Sequence, residues 1–447
     1  MCHREDRPAT RQPPPHHPPG CRSASARCQC RGLRGGQDGS QRGAIGHHLR
    51  DGGQRIAVLH AAAASALALR AAPAIARPAR ADDFARAAAG QPLLQPFKGV
   101  NDSSGNVDGT ALLRGRWPAE LRGRFYRNGP ALVERAGERY HHWFDGDGMV
   151  QQFSIGAGRV SHRGRLVRTA KLKAEQQAGR FLMSALGTRI EGGPPSGGPD
   201  SHNVANTNAI EHAGQVLALW EGGSAYALHP ADLSTRGPVT WRSDLQQVPF
   251  SAHPKVDSGG NLWNFGTSGV LTYVGAPDAW FLDRAAVSLM SAQPQEPGTV
   301  QLRTVQLNMK TGRVQQEVLP GEVEFPRMHP QRIGMPSRWL VTGTSWKPYA
   351  NRAAGLLHGV QMVDVQTGRQ RRFDYGPHLV AEEHIVVPKP GKTGELNAWL
   401  LGTTFDARRQ STVLNLLDAA HVEDGPVAQA VLPYLLPLGF HGNFTAA

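Results

Sequence analysis

Val363-Asp364-Val365-Gln366-Thr367-Gly368-Arg369-Gln370 reads as a β-hairpin: β-favouring residues flank a polar turn, with glycine where the backbone needs positive φ. Leu307-Asn308-Met309-Lys310-Thr311-Gly312-Arg313-Val314 nearly repeats it. Outward from these hairpins, short apolar stretches recur between turn signals: Gln215 to Trp220, Arg338 to Thr342, Ala398 to Leu401. Regularly spaced hairpins of this kind predict an all-β chain, an antiparallel β-propeller. One helix of note is predicted, over Ala279–Ala292, with Trp280, Phe281, Ala285, Leu289 and Met290 as its apolar residues. No segment beyond residue 81 has the roughly 18 uninterrupted apolar residues of a membrane-spanning helix.

The formal charge of the 447 residues is +13, unevenly placed. Residues 1–80 hold 13 arginines, no lysine and 4 acidic residues, so the leader carries most of the surplus. They contain no Phe, Tyr or Trp. A nucleic-acid interface would interleave basic and aromatic side chains on a folded element, so no nucleic-acid partner is expected. All four cysteines (Cys2, Cys21, Cys28, Cys30) lie in this leader, and no disulfide framework can hold the folded part. Their spacing, with His16 and His17, matches no common zinc module. Residues 1–49, rich in Arg, Pro, Gly, Gln and His, read as disordered or as a wrongly placed start. Residues 50–81 read as a secretory signal peptide: Arg50 and Arg55, an apolar run from Ile56 through Ala76, then Ala79-Arg80-Ala81. An Ala-rich low-complexity linker is the other reading, so export to the periplasm and a cytoplasmic location both stay open. Residues 82–94 read as a linker, and residues 95–447 as the propeller domain.

Two dense motifs open that domain. They are Leu121-Arg122-Gly123-Arg124-Phe125-Tyr126-Arg127-Asn128-Gly129-Pro130 and Tyr140-His141-His142-Trp143-Phe144-Asp145-Gly146-Asp147-Gly148-Met149. Asp-Gly-Asp-Gly hints at calcium, but it lacks the ligand spacing and terminal Glu of an EF-hand loop. A tight turn closing a blade is the better reading, with His141 and His142 at strand ends. Further on come Arg165 to Thr169, Ala205 to Ala209, Leu219-Trp220-Glu221-Gly222-Gly223 and Ser251-Ala252-His253-Pro254-Lys255-Val256-Asp257. Then follow Val323-Glu324-Phe325-Pro326-Arg327, Glu382-Glu383-His384-Ile385-Val386-Val387-Pro388 and Leu438-Gly439-Phe440-His441-Gly442-Asn443-Phe444.

This ordered set resembles the carotenoid cleavage oxygenases, a family that includes carotenoid, apocarotenoid and lignostilbene dioxygenases. The resemblance implies a seven-bladed β-propeller with loops and a short helix over one face. It implies a non-haem iron, Fe(2+), held by four histidines, with His253 and His441 at two of those positions. Neutral imidazoles suit that ion and leave it able to engage O2. Glu221, Glu324 and Glu383 match the glutamates that accept the other ring N–H of the ligands and fix their tautomer. The implied substrate is an extended apolar molecule with a conjugated C=C bond, cleaved with O2 into two carbonyl fragments and met, where it is membrane-dissolved, through peripheral membrane contact.

The segments that carry the second and third histidines in that family have no match here. Asn261-Leu262-Trp263-Asn264-Phe265-Gly266 continues normally to Leu271-Thr272-Tyr273-Val274, then runs into Gly275-Ala276-Pro277-Asp278-Ala279-Trp280, and no histidine lies between His253 and His329. We therefore expect an incomplete propeller lacking about two blades, at roughly 45 residues each, with a deletion junction near 273–277. Glu221 and Glu324 should face the centre without their histidines, and unpartnered buried carboxylates tend to take up protons. His384, beside Glu383, is a candidate substitute ligand, as are His329 and His378. Three functions follow as expectations: an Fe(2+)-dependent dioxygenase, a degenerate propeller that binds an apolar ligand without turnover, and a metal-dependent hydrolase. The last would need carboxylates at the axis and is disfavoured by the histidine-centred motifs.

Overall fold

The computed structural model describes residues 76–447, apart from 102–104, 244–245, 258, 264–269, 276–283, 294–299, 308–312, 320, 350–352 and 354. The predicted hairpin is present. Strands Gly359–Asp364 and Gln370–Asp374 pair antiparallel with Val363 opposite Gln370, and Gly368 takes φ +71° in the turn. Asp364 shapes that turn by accepting from the Gln366 amide at 3.0 Å. Its near-repeat pairs Gln301–Leu307 with Val314–Leu319, Leu307 opposite Val314, while its turn lies outside the described residues.

Antiparallel sheets dominate the described residues. The first blade orders its strands Asn106–Thr110, Arg159–Leu166, Asp147–Gly156, Gly123–Leu132, His441–Ala446. The second holds Asn208–His212, Gln215–Leu219, Tyr226–Leu228 and Thr235–Pro238. A four-stranded sheet is built from Glu322–Met328, Trp339–Ser345, Gly359–Asp364 and Gln370–Asp374. The last blade takes Leu379–Pro388, Ala398–Asp406, Ser411–Asp418, Pro426–Val431 and Leu112–Gly115. Between the second blade and the Glu322 blade lie smaller pieces. One is a two-stranded ladder, Lys255–Val256 with Leu262–Trp263; the other is a three-stranded sheet begun by Val270–Gly275.

The chain ends interlock. The C-terminal strand is the innermost of the first blade, with His441 opposite Asn128, and Leu112–Gly115 is the outermost of the last. Inner strands such as Leu379–Pro388 are buried almost throughout, because both faces are covered, whereas Arg159–Leu166 alternates buried and part-exposed positions. Two inner strands carry register shifts, between Glu324 and Arg327 and between Ala381 and His384. Phe325 sits in the first with φ +59°, a conformation costly for a bulky residue. Such bulges re-aim side chains beside functional sites.

The helical content corrects the sequence reading. The helix expected over Ala279–Ala292 is described as Ala286–Ser291, residues 279–283 lying outside the described set. Residues 82–94 do not behave as a linker. They contribute to helix Ala81–Ala88 and to the 3-10 helix Pro92–Lys98, whose Phe84, Leu93, Leu94 and Phe97 join a core cluster with Tyr140, Trp143 and Met290. Another helix, Ala170–Ala178, is capped by Thr169, whose hydroxyl accepts from the Leu172 amide, and ends on Gly179 at φ +65°. Residues 1–75, with the cysteines and most of the signal-peptide reading, lie outside the described residues. Ala79 and Arg80, from the expected cleavage triplet, pair with Arg139 and Glu138.

Candidate metal centre

His441 begins the C-terminal strand. Its Nδ1 lies 2.9 Å from Glu383 Oε1, and Glu383 Oε2 accepts from the Gly442 amide at 2.7 Å. The Arg327 Nε stands 3.5 Å from the same carboxylate. Burial alone would raise Glu383, but the Arg327 charge, His441 and the Gly442 amide outweigh it and hold the carboxyl at about 2. Burial lowers His441 against the pull of Glu383, favouring the neutral ring. With the proton on Nδ1 facing Glu383, the Nε2 lone pair is free to bind.

His253 lies on the segment before the short Lys255–Val256 strand. Its ring centroid is 4.7 Å from that of His441, with the planes at 80°. The sequence is thus folded so that two histidines far apart in the chain meet edge to face. His253 Nε2 is 3.0 Å from Glu221 Oε1, and both side chains are about half exposed. Burial opposes ionisation of Glu221, while the His253 hydrogen bond and charge lower its pKa. Glu221, expected to face the centre without a partner, has therefore taken the histidine that remains.

Among the described residues Glu324 has no side-chain partner, only the Phe325 backbone amide. Burial pushes it up to about 7, opposed by the Phe325 backbone amide and helped by the nearby Glu383 charge. His384 is engaged elsewhere: Nδ1 contacts the Glu382 carbonyl at 2.9 Å and Nε2 the Tyr375 hydroxyl at 2.8 Å. The structure does not bring it to the His253–His441 pair as a substitute ligand. His329 is occupied too, its Nδ1 accepting from the Gln331 amide at a 3-10 helix start.

Sequence reasoning missed the groups that hold this site together. Arg327 reaches the Gly442 carbonyl and, at 2.9 Å, Asn443 Oδ1. Asn443 Nδ2 donates to Asn208 Oδ1 at 3.0 Å and to the Ala209 carbonyl at 2.8 Å. Asn208 Nδ2 donates to the Ala252 carbonyl at 2.7 Å, so one chain of amides ties both histidine segments to the second blade. Below them Arg127 and Glu382 form a buried ion pair, and Glu382 Oε1 also accepts from the Gly439 amide at 2.7 Å. Arg127, Asn208 and Arg327 sit inside motifs that the sequence displays, and that position was the available signal.

The donor set does not fit the family's four-histidine iron shell. Two imidazoles converge, and among the described residues no group of three or more His, Cys, Asp or Glu is arranged to hold a metal ion. Two cationic side chains also stand nearby. Lys255 Nζ is 3.4 Å from the His253 carbonyl, and Arg327 faces Glu383. Burial, then the Arg327 charge, pull Lys255 down to about 8. Beside Glu324 opens a small, mostly apolar pocket lined by Trp143, Val323, Phe325, Leu356, Leu357 and Leu438.

Comparison with known proteins bears on this arrangement. The profile of the family described as retinal pigment epithelial membrane protein matches residues 102–279 and 276–446. The two matches meet where the sequence runs from Tyr273-Val274 into Gly275-Ala276-Pro277. An apocarotenoid-15,15'-oxygenase of Synechocystis is 25% identical, over 74% of this chain and 92% of that protein. The alignment runs over 458 positions yet takes in only that share of a 447-residue chain, so a long stretch of the relative has no counterpart here. A lignostilbene-alpha,beta-dioxygenase isozyme III of Sphingomonas paucimobilis is 23% identical over 75% of this chain and 93% of its own length. The solved structure of a cobalt-substituted Synechocystis apocarotenoid oxygenase superposes with a TM-score of 0.63 at 22% identity, covering 83% of this chain and 100% of that one.

Proposed function

The chain belongs to the retinal pigment epithelial membrane protein family, that of the carotenoid cleavage oxygenases, and from that premise we propose that it is a dioxygenase-type propeller whose metal centre is half built. Its relatives include, by name, an apocarotenoid-15,15'-oxygenase, a carotenoid 9,10(9',10')-cleavage dioxygenase and a lignostilbene-alpha,beta-dioxygenase. The ligand class we assign is the same: an extended apolar molecule with a conjugated C=C bond, seated in the pocket beside Glu324. In the family, Fe(2+) supplies oxygen activation for cleavage of that bond. Here His253 and His441 would be the remaining ligands, with Glu221 and Glu383 orienting their rings and Glu324 left without a ring to orient.

The observation that carries this reading is the pair itself. Two imidazoles meet 4.7 Å apart, and no third group of the right chemistry joins them among the described residues. This chain then binds its apolar ligand without turning it over. A working oxygenase is the second reading, favoured by one contact: Glu383 on His441 Nδ1 at 2.9 Å, which sets the tautomer a metal ligand needs. Metal analysis of purified full-length protein, paired with cleavage assays on an apocarotenal and a stilbene, separates the two. We expect far less than one iron per chain, quenching of tryptophan fluorescence by both ligands, and no cleavage. One iron per chain with cleavage products would establish the second reading.

A further inference from the structure

The outer half of the interface between the first and second blades is built differently from the inner half. The inner half is apolar, with Val150, Ala209, Val216 and Leu228 packed around Tyr126. Further out, the same face of the first blade turns polar in two cross-strand rows. Arg124 stands opposite Ser154, Ser154 opposite Ser161, and Ser161 opposite Thr110. The next row runs Tyr126, Gln152, Arg163, Asp108. Residues directly opposite in an antiparallel ladder share a face, so these side chains tile one wall. Pro230 and Ala231 of the second blade face them across a cleft with about 960 Å³ of empty space, its open mouth included.

The cleft offers hydrogen-bond donors without matching acceptors. Arg159 makes one side-chain bond, to Thr110 Oγ1 at 2.9 Å. Arg163 uses Nε on Asp108 and Nη1 on the Ala231 carbonyl, leaving Nη2. Arg124 uses Nε and Nη2 on Glu211, leaving Nη1. Asp108 is also held by Arg165 at 2.6 Å, so Asp108 and Glu211 are each engaged by arginine. Ser154 and Ser161 have no side-chain partner among the described residues. With the exposed Asp232, whose carboxylate feels the Arg163 charge, four guanidiniums stand against three carboxylates and still leave a net positive wall with hydroxyls on its floor. Forked guanidinium donors and hydroxyls together match the oxygens of a tetrahedral oxyanion.

We propose that this cleft binds a phosphoryl group, borne by a small molecule or by a lipid headgroup. It is separate from the histidine pair. Arg124 pairs with Thr445, four residues along the strand from His441, which places it about 13 Å away at the rise of a β-strand. The cleft therefore sees an anion while the central pocket sees an apolar ligand.

The test uses the full chain at matched ionic strength. Calorimetric titration with inorganic phosphate and with pyrophosphate should give saturable binding. Arg159→Gln should weaken it about tenfold, the usual worth of a charge-assisted hydrogen bond. Ser154→Ala combined with Ser161→Ala should weaken it as well. Arg159 is exposed and Ser154 and Ser161 are part-exposed, and thermal unfolding in phosphate-free buffer checks that both variants fold. Sedimentation with phosphatidylcholine vesicles, with and without phosphatidylglycerol, separates the sources. Phosphate binding without vesicle binding assigns a soluble ligand, and anionic-vesicle binding lost in Arg159→Gln assigns a headgroup. No saturable binding of any probe by folded protein, or binding unchanged in both variants, would overturn the proposal.

Discussion

Glu383 and Glu324 are both glutamates on inner strands beside the same centre, yet their environments push them in opposite directions. Glu383 is held at about 2 by Arg327 and His441 against its burial. Replacing it with alanine strands the Arg327 charge and frees the His441 ring, so Glu383→Ala should cost roughly 3–5 kcal/mol in denaturant unfolding. A loss below about 1 kcal/mol would show that solvent already screens the pair. Glu324 is raised to about 7, with burial as the leading cause. A carboxyl with a raised folded pKa binds its proton more tightly folded than unfolded, so stability falls as pH rises from the ordinary glutamate range through that value. Glu324→Gln should therefore match the wild type near about pH 4.5 and exceed it by roughly 1–3 kcal/mol above about pH 7.5. Equal differences at both pH values would refute the assignment. The positions of His253, His441 and the glutamates were legible from the order of motifs. Their pairing was not, because Glu221 and His253 come from different blades and their contact is decided by what else is absent.

At the scale of elements, local signals were read well and packing-dependent ones poorly. The Val363–Gln370 hairpin follows from residues adjacent in sequence. Helix Ala81–Ala88 was missed because it has no side-chain cap and buries little beyond Phe84 and Ala88, so its stability comes from the cluster it joins. The bulges beside Glu324 and Glu383 leave no sequence pattern at all, since register shifts are set by the neighbouring strand. One glycine shows how tightly the C-terminal strand is fitted. A Cβ on Gly442 would lie 2.1 Å from the Tyr126 carbonyl oxygen, in the ladder with Gly123–Leu132. Gly442→Ala should cost roughly 2–3 kcal/mol, read as a lowered Tm. An unchanged Tm would mean that the strand can shift without leaving the sheet.

For the folded body, the uneven sheets have a surface consequence. Of the nine large hydrophobics exposed among the described residues, five (Trp241, Val248, Trp263, Val314 and Val318) fall on residues 241–318, around the break in the family match, while Leu112, Leu186, Met335 and Val427 lie elsewhere. The strand Leu262–Trp263 is paired along one edge only among the described residues. Open strand edges with apolar side chains recruit further strands. Sedimentation velocity should therefore show concentration-dependent self-association, reduced by Trp263→Lys. A monodisperse monomer across the concentration range would show that these residues are covered by other means. The alignment to the Synechocystis relative leaves a long stretch of that protein without a counterpart, and the missing length was legible in the sequence. How the remaining sheets share the exposed edges was not, since that is a property of the whole assembly.

The seal between the chain ends also has a timing. As the chain leaves the ribosome, Gly123–Leu132 emerges early but lacks its inner neighbour until His441–Ala446 is made. Until then the first blade stays unfinished, and Glu383 lacks the histidine it holds. Translation order thus makes the last strand both the latch and the final ingredient of the centre. A chain lacking His441–Ala446 would keep the contact between Glu221 and His253 but lose the ring pairing and the partner of Glu383.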